Sequence, residues 1–260
     1  MEMEPVLFEK DGPLGWLTLN RPKNRNALSV EVMNAMQNKL NMCAKDEDIR
    51  AVVIRGSGPA FCAGHDLKEM VGAHYDAHHF RQIFSVCSDM MQALHKLPQP
   101  VIAQVHGIAT AGGLQLVAAC DLAIAESGTR FSTPGVKIGL FCSTPMVPLV
   151  RAIGRRKAMD MLLTGRFVSA EEAERFGLIN RIAAADKLAE ETRDWAMEIA
   201  QYSRFTLALG KQAFYNQIDL DEPAAYNYAA DAMVAGCLAA DAQEGMAAFL
   251  EKRQPIWKHK

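Results

Sequence analysis

Two short stretches of small residues carry the groups best suited to chemistry. The first, residues 107–115, has adjacent glycines at 112 and 113. It lies between apolar runs, 101–105 and 116–120, that predict a strand and a helix. Glycine lets the backbone turn sharply, and the first N–H groups of a helix have no partner within it and carry partial positive charge. The stretch therefore predicts an anion or oxyanion site, although such turns also serve the simple packing of a helix against a strand.

A second stretch, residues 60–70, repeats this arrangement. It follows a β-branched run at 51–56 and places Gly64, His65 and Asp66 in a turn that leads into another predicted helix. Two such turns can supply two convergent N–H donors, which suit a carbonyl group that gains negative charge during a reaction.

Four motifs in these stretches occur in a fixed order. They are Phe61-Cys62-Ala63-Gly64-His65-Asp66-Leu67-Lys68-Glu69, His106-Gly107, Ala111-Gly112-Gly113-Leu114-Gln115 and Cys120-Asp121-Leu122-Ala123. Their order and spacing resemble the crotonase superfamily, also called the enoyl-CoA hydratase/isomerase family, over nearly the whole chain. The resemblance implies a spiral of strand-strand-helix turns whose terminal helices build a homotrimer or a dimer of trimers. It also implies an acyl-CoA thioester as substrate, with coenzyme A as part of that substrate and with no separate cofactor or metal.

The resemblance assigns the oxyanion hole to the backbone N–H groups of His65 and Gly112. The hydratases of this family use two glutamates to move protons, and the matching positions here are Gln115 and Gly135. Gln115 can hold a water molecule but cannot take its proton at ordinary pH, and Gly135 has no side chain. Because each proton transfer is worth roughly 10²- to 10⁴-fold in rate, efficient hydration by the usual two-glutamate mechanism is in question.

Other side chains near these motifs are candidates for acid–base work. Cys142 lies in a segment that supplies a catalytic carboxylate in some crotonases, and its thiol is the closest to a base, with an ordinary pKa of about 8.5. The alternative for Cys142 is a buried structural thiol. Ser143 and Thr110 are weaker candidates, and Asp121 has the character of a hydrogen-bonded turn residue.

Substrate binding is predicted partly from charge and partly from the resemblance. The basic side chains of Arg21, Lys23, Arg25 and Lys68 suit the phosphates of coenzyme A, or else they are solvated surface charges. The resemblance implies that the substrate-binding positions are Arg25, Ala27, Ala63, Asp66, Leu67 and Lys68, with Phe249 and Lys252 completing the pocket of a neighbouring subunit. An acyl pocket lined by Phe84, Met90, Met91 and Leu94 is an alternative to core packing of that helix.

Three functions stay open at this point. The first is an enoyl-CoA hydratase or isomerase with a weakened acid–base apparatus. The second is another reaction of a CoA thioester that uses an oxyanion hole, such as thioester hydrolysis or decarboxylation. The third is a non-catalytic acyl-CoA-binding protein. Turnover of an enoyl-CoA, release of free coenzyme A, and tight binding without turnover distinguish them.

Composition narrows the classes of partner and compartment. The 260 residues include 28 basic and 30 acidic side chains, a formal net charge of −2, which gives no general footprint for nucleic acid or an anionic membrane. The six cysteines show no C-x-x-C pair, so we expect free thiols in a reducing compartment. The acidic first residues lack the pattern of a signal peptide or transit peptide, and no apolar run reaches about 18 residues. These features predict the cytoplasm.

The elements that position these groups follow an α/β pattern. Apolar residues recur at helical spacing over 30–43 and 79–94, with Ser29 as a predicted N-cap, and 169–172 has the spacing of a capping box. Beyond residue 188 the pattern is almost entirely helical. The sequence therefore predicts a core over residues 1–190 that holds the acyl-CoA site, followed by a helical trimerisation subdomain over residues 191–260.

Overall fold

A computed structural model describes residues 4–72 and 76–260. Within these ranges the strands are β1 (Val6–Asp11), β2 (Leu14–Leu19), β3 (Ala51–Gly56), β4 (Val101–Val105), β5 (Ile108–Thr110), β6 (Leu122–Glu126), β7 (Arg130–Ser132), β8 (Val168–Ser169) and β9 (Arg181–Ala183). The α-helices are α1 (Val30–Lys45), α2 (Leu67–Gly72), α3 (Ala77–Lys96), α4 (Gly112–Ala119), α5 (Met146–Ile153), α6 (Arg155–Thr164), α7 (Ala170–Phe176), α8 (Leu188–Ala200), α9 (Arg204–Gln217), α10 (Glu222–Leu238) and α11 (Ala240–Leu250). Short 3₁₀ helices span Pro22–Asn24 and Pro134–Ile138.

The strands form two sheets whose chain path is a spiral. The larger sheet has the order β1-β2-β3-β4-β6-β9, and all its pairs are parallel except the β1–β2 hairpin. The smaller sheet has the order β5-β7-β8, with β5 and β7 parallel. The chain passes from β4 to β5 to α4, and later from β6 to β7 and on to helices. This path is the strand-strand-helix spiral that the resemblance implied.

Strand β5 lies inside the stretch that the sequence analysis treated as one small-residue turn. Ile108–Thr110 pairs with Arg130–Ser132, and Ala109 also forms an isolated parallel bridge with Cys62. The turn before α4 is therefore confined to Ala111, and the helix begins at Gly112 rather than near residue 116. Three residues are too few for a periodic pattern, which is why the sequence did not separate this strand from the turn.

Helices cover both faces of the larger sheet. On one face the apolar sides of α1 and α3 pack into the main core, with Met33, Met36 and Leu40 among its fully buried residues. Ser29 accepts a hydrogen bond from the backbone N–H of Val32 and caps α1 as predicted. The predicted capping box, Ser169 with Glu172, is present at α7. Met90, Met91 and Leu94 of α3 lie in the main core, so they pack rather than line an open acyl pocket.

The other face of the sheet is covered by α8, which spans the predicted domain boundary. Its residues Leu188, Trp195, Ala196 and Ala200 belong to a second buried cluster together with Trp16 and other residues of the sheet. Helix α8 is therefore packed as part of the core, while α9, α10 and α11 follow it. The division of the chain at residue 190 stays a prediction.

A buried ion pair joins α9 to the core. The Lys211 ammonium lies 2.7 Å from the Asp121 carboxylate and donates hydrogen bonds to the carbonyl oxygens of Leu94 and Gln99. The Tyr215 hydroxyl donates to the other Asp121 oxygen at 2.8 Å. Asp121 is thus fully engaged in holding elements together, in agreement with its interpretation as a hydrogen-bonded turn residue.

Candidate active site

The two turns singled out in the sequence lie against each other. Cys62 donates its backbone N–H to Ile108 and accepts from the N–H of Thr110, which continues the pairing seen at Ala109. The approach is so close that a Cβ atom on Gly113 would lie 2.1 Å from the carbonyl oxygen of Cys62. Only glycine fits at position 113, because any side chain would overlap backbone of the facing turn.

The predicted pair of N–H donors meets at this contact. Across the residues that the structure describes, the backbone N–H groups of His65 and Gly112 have no hydrogen-bond acceptor, while those of Ala63, Asp66 and Gln115 all do. Gly112 is the first residue of α4, where an N–H has no partner within the helix. Two free donors in adjoining turns can both bind one anionic oxygen atom.

Unusual backbone conformations aim these donors. Gly64, which precedes His65, has a φ of +100°, and a Cβ atom there would lie 3.1 Å from the backbone nitrogen of Gly112. Ala111, which precedes Gly112, has φ +49° and ψ −117°. This is a region that residues with a side chain rarely adopt, at a cost of about 1–3 kcal/mol. Both donors therefore follow a residue whose conformation is held by its surroundings.

The polar loop over residues 21–28 supports the turn at His65 from the opposite side. Ala63 donates to the carbonyl of Arg25, and Leu28 forms a parallel bridge with His65 through bonds to Gly64 and Asp66. The order of the elements thus places the basic loop directly beside the oxyanion turn.

Two polar side chains fix this loop. Asn26 is 1% exposed. Its side-chain amide nitrogen donates to the backbone carbonyl oxygens of Ser57 and Ala60, and its Oδ1 accepts from the backbone N–H of Arg21. The Arg21 guanidinium lies 3.2 Å from the buried carboxylate of Asp66. Arg21 therefore has a structural partner, which separates it from the other basic residues predicted to contact coenzyme A.

The imidazole of His65 packs over the hole in the neutral state. A Cβ atom on Gly112 would lie 3.1 Å from its Nδ1, and the ring contacts Phe84 edge-on at 5.4 Å between centroids. Burial lowers the pKa of His65 to about 4. Its Nε2 is buried with no hydrogen-bond partner among the described residues. The side chain thus covers the site as an uncharged ring. Phe84 borders the site because its ring contacts that of His65.

Gln115 is the residue that the resemblance assigns to the first of the two glutamate positions. It lies on the first turn of α4 and is 3% exposed. The Cys87 thiol donates to its Oε1 at a sulfur–oxygen distance of 3.9 Å. Burial raises the pKa of Cys87 to about 12, so this neighbour is a neutral thiol and not a base.

Gly135 is the residue that the resemblance assigns to the second position, and it is enclosed by its own loop. A Cβ atom on Gly135 would lie 2.6 Å from the carbonyl oxygen of Leu140 and 2.8 Å from the sulfur of Cys142. Cys142 is 8% exposed, and burial raises the pKa of its thiol, which the nearby N–H of Gly135 partly opposes. The chain therefore brings the candidate thiol to the place where the side chain of a second acid would begin.

The predicted substrate-binding residues fall into two groups. The first group borders the hole, on the basic loop, the turn at His65 and the start of α2, and comprises Arg25, Ala27, Ala63, Asp66, Leu67 and Lys68. Arg25 and Lys68 are exposed, without an ion-pair partner among the described residues, so both charges are available to a ligand. Lys23 and Ser143 are also exposed, and Ser143 bonds only the carbonyl of Phe141 within its own loop.

Phe249 and Lys252 form the second group, at the end of α11. Phe249 is 82% exposed and lines an apolar groove of about 670 Å³ between α9, α10 and α11. In the part of the chain that the structure describes, neither residue contacts the turns at His65 and Gly112. The rest of this region is also apolar and open to solvent, with Tyr226, Leu238, Leu250 and Ile256 each more than two thirds exposed.

One contact of the site was not foreseen from the sequence. The Thr110 hydroxyl donates to the carbonyl oxygen of Ala63 at 2.9 Å, so it is bound to the facing turn. The sequence suggests Thr110 only as a weak acid–base candidate. No local pattern signals the contact, because the two residues are 47 apart in the chain.

In the described residues no helix is long and apolar enough to cross a membrane. All six cysteines are free thiols, and Cys237 is the exposed one.

Comparison with known proteins identifies relatives that match nearly the whole chain. The model of the family described as enoyl-CoA hydratase/isomerase matches residues 9–260. The mitochondrial enoyl-CoA hydratase domain-containing protein 3 of Rattus norvegicus is 44% identical over 99% of this chain and 86% of its own. An enoyl-CoA hydratase crystal structure from Mycobacterium smegmatis has a TM-score of 0.95 at 47% identity, covering 97% and 98% of the two chains. The crystal structure of human enoyl-CoA hydratase domain-containing protein 3 has a TM-score of 0.94 at 41% identity and covers 97% of this chain and all of its own.

Proposed function

The chain belongs to the enoyl-CoA hydratase/isomerase family, and on this premise we propose that it binds an acyl-CoA thioester and polarises its carbonyl through the N–H groups of His65 and Gly112. The observation that carries the proposal is the pair of unpaired donors in two turns pressed together. A thioester gains negative charge on its carbonyl oxygen in reactions at or beside the carbonyl. One preorganised donor of this kind is typically worth on the order of 10²- to 10³-fold in rate.

The groups around the hole favour slow hydration or double-bond isomerisation of an enoyl thioester, in which solvent, not a side chain, accepts the proton that is removed. Neither Gln115 nor Gly135 can exchange a proton, and the neutral ring of His65 is placed as a cover. Cys142 is the remaining candidate, since its sulfur lies where the second acid would start. Because burial raises its pKa, this thiol stays protonated near pH 7 and suits proton donation better than nucleophilic attack.

The bound substrate extends from the hole along the basic loop. We place the phosphates of coenzyme A near Arg25 and Lys68, the two exposed cations that border the turn at His65. The exposed apolar surface of α10 and α11 favours assembly into a trimer, since patches of this kind mark interfaces. In such an assembly Phe249 and Lys252 would reach the pocket of a neighbour.

Two compartments are supported, the cytoplasm and the mitochondrion. Composition predicted the cytoplasm, whereas the enoyl-CoA hydratase domain-containing protein 3 of Rattus norvegicus is named as mitochondrial. The bacterial structure that matches the chain comes from Mycobacterium smegmatis. Free thiols are compatible with both compartments. Fractionation of the source cells distinguishes the two locations.

The proposal is tested with the purified protein and two substrates, crotonyl-CoA and a long-chain 2-enoyl-CoA. Loss of the conjugated double bond and release of free thiol are followed in the same reaction. We expect loss of the double bond without thiol release, at a rate below the typical enzyme median of about 10 s⁻¹. Thiol release instead indicates thioester hydrolysis, and binding without either signal indicates a non-catalytic acyl-CoA-binding protein.

Gly112→Pro tests the hole itself, because proline lacks the N–H group. Proline is tolerated at the first position of a helix, but its ring carbons would press on His65 and Leu28, so retained folding must be checked by thermal unfolding. We expect a loss of about 10²-fold or more in turnover. Unchanged turnover in a folded variant excludes Gly112 as a donor.

A further inference from the structure

Among the described residues, a single side-chain hydrogen bond joins the two turns that carry the donors. Thr110, the last residue of β5, is 6% exposed, and its hydroxyl donates to the carbonyl oxygen of Ala63 at 2.9 Å. Thr110 lies two residues before Gly112, and Ala63 lies two residues before His65. The bond therefore joins the two turns at positions that each lie two residues before a donor in the chain.

We propose that Thr110 is a positioning residue that sets the separation and direction of the His65 and Gly112 N–H groups. This inference rests on the proposed function, because it assigns a role in the same oxyanion hole. Thr110 itself does not reach the reacting atoms in this role. It acts through the backbone of Ala63.

Backbone pairing alone does not hold the turns at this point. The ladder between the two segments ends with the bond from the Thr110 N–H to the carbonyl of Cys62. Beyond that bond, in the described chain, the Thr110 hydroxyl makes the last hydrogen bond between the segments. Past this point the segments stay in contact at Gly64 and Ala111, but in the described chain no further hydrogen bond joins them. A donor that follows an unpaired turn would otherwise be free to rotate away from its partner.

The conformation of Ala111 gives a second, independent reason for such a restraint. Its φ of +49° with ψ of −117° persists only where neighbouring contacts determine it. Two hydrogen bonds bracket this residue, one from the Thr110 hydroxyl to Ala63 and one from the Ala111 N–H to Ser132 at 2.9 Å. Loss of the first bond leaves the Thr110 side of the strained turn held to the facing segment by the backbone bond to Cys62 alone, so the N–H of Gly112 can move.

The hydroxyl of Thr110 is also occupied. A hydroxyl has one proton to donate, and here that proton is directed at the Ala63 carbonyl. Loss of the bond would therefore change the geometry of the hole and would not remove an acid or a base. If Thr110 is a positioning residue, its loss leaves the shape of the pH profile of turnover unchanged. Loss of a catalytic acid or base would change that shape.

The test compares four variants of the full-length protein. Thr110→Val keeps the shape and removes the hydroxyl, and Thr110→Ser restores a hydroxyl on a smaller side chain, with Thr110→Ala as its partner without one. The control is Thr129→Val, because Thr129 is 1% exposed and its hydroxyl likewise donates to a backbone carbonyl, that of Val105, away from the hole.

Two readouts are needed. The first is the absorption maximum of a bound dimethylaminocinnamoyl thioester of coenzyme A, which moves to longer wavelength as its carbonyl is polarised. The second is kcat and KM with crotonyl-CoA. For Thr110→Val we expect a smaller absorption shift and a kcat lower by about tenfold or more, with little change in KM, because small displacements of a preorganised donor are costly. Thr110→Ser recovers both, Thr110→Ala does not, and the pH profile keeps its shape.

The outcomes separate this inference from the proposed function. An absorption shift in the wild type that is the same in Thr110→Val and Thr110→Ala overturns the role of Thr110 and leaves the hole intact. An equal loss in Thr129→Val assigns the effect to general destabilisation and also overturns it. A wild type that binds the thioester with no absorption shift overturns the proposed hole itself. If Thr110→Val does not fold, the Thr110→Ser and Thr110→Ala pair gives the same comparison.

Discussion

The sulfur of Cys142 lies 2.8 Å from the point where a Cβ atom of residue 135 would be. The thiol and a side chain at Gly135 therefore exclude each other. The loop that carries Cys142 has closed over residue 135, which the resemblance assigns to a glutamate position, and the Leu140 N–H donates to the Gly135 carbonyl to fasten the loop. A glutamate cannot be introduced at residue 135 without moving this loop.

Gly135→Ala should destabilise the protein by about 1–3 kcal/mol, the usual cost of overpacking. The added methyl would meet the Leu140 carbonyl oxygen at 2.6 Å, and a backbone atom cannot rotate away. Urea denaturation measures the change. Gly128→Ala is the matched control, since its methyl would enter open space beyond a contact of 3.6 Å with Glu126, and it should change stability by less than about 0.5 kcal/mol. Equal stability of the two variants contradicts the closed loop.

Gln115→Glu should raise the rate of enoyl-CoA hydration, because this position accepts a carboxyl group of nearly equal size. A gain of about 10²-fold is expected for restoring one proton transfer. Burial favours the neutral acid, so the gain should grow with rising pH as the carboxylate forms. Gln104→Glu, at another buried glutamine, is the control. A gain of the same size in the control, or none in Gln115→Glu, contradicts this role of position 115.

His65 should make the folded protein sensitive to acid. Its folded pKa of about 4 lies below the ordinary 6.5, so the unfolded chain binds the proton more tightly. Burial of the neutral ring therefore costs the folded state nothing above pH 6.5. As the pH falls towards 4, the free energy of unfolding decreases, by about 3 kcal/mol in total. Urea denaturation across this range should show a smaller loss for His65→Gln than for the wild type. Identical losses mean that His65 is not buried in the neutral form.

Lys211→Met should destabilise the protein by about 3 kcal/mol, the low end for a buried pair, because it leaves the Asp121 carboxylate, whose side chain is only 16% exposed, without its cation. Thermal or urea unfolding measures the loss. Arg151→Met removes an exposed pair with Asp219 at 3.7 Å and serves as the control, with an expected change below about 1 kcal/mol. A small effect of Lys211→Met would show that α9 is held to the core by other contacts.

The sequence predicted the parts of the site that depend on local pattern. Small-residue turns after strands, the cap at Ser29 and the helical stripes each follow from a few neighbouring residues, and the structure has them. The hole donors at His65 and Gly112 came from the resemblance, and the geometry brings those two turns together.

The rest depended on contacts between distant segments. Nothing in the spacing from Gly135 to Cys142 shows that the loop folds back, because that depends on the turn at Gly139 and on the bond from Leu140. Strand β5 is too short for a periodic signal. The bond from Thr110 to Ala63 joins residues 47 apart, and a threonine in a turn gives no sign of such a partner.

Three hydrogen bonds beside the oxyanion hole join segments that are far apart in the chain. They connect Leu28 to Gly64, Ala63 to Thr110 and Ala111 to Ser132. A growing polypeptide therefore cannot form the hole until synthesis has passed residue 132. Because contacts of long sequence separation require the closure of large loops, the hole belongs to the slowly forming part of the fold. Polarisation of a bound thioester is thus a reporter of completed folding, and it should be regained during refolding only together with the central sheets.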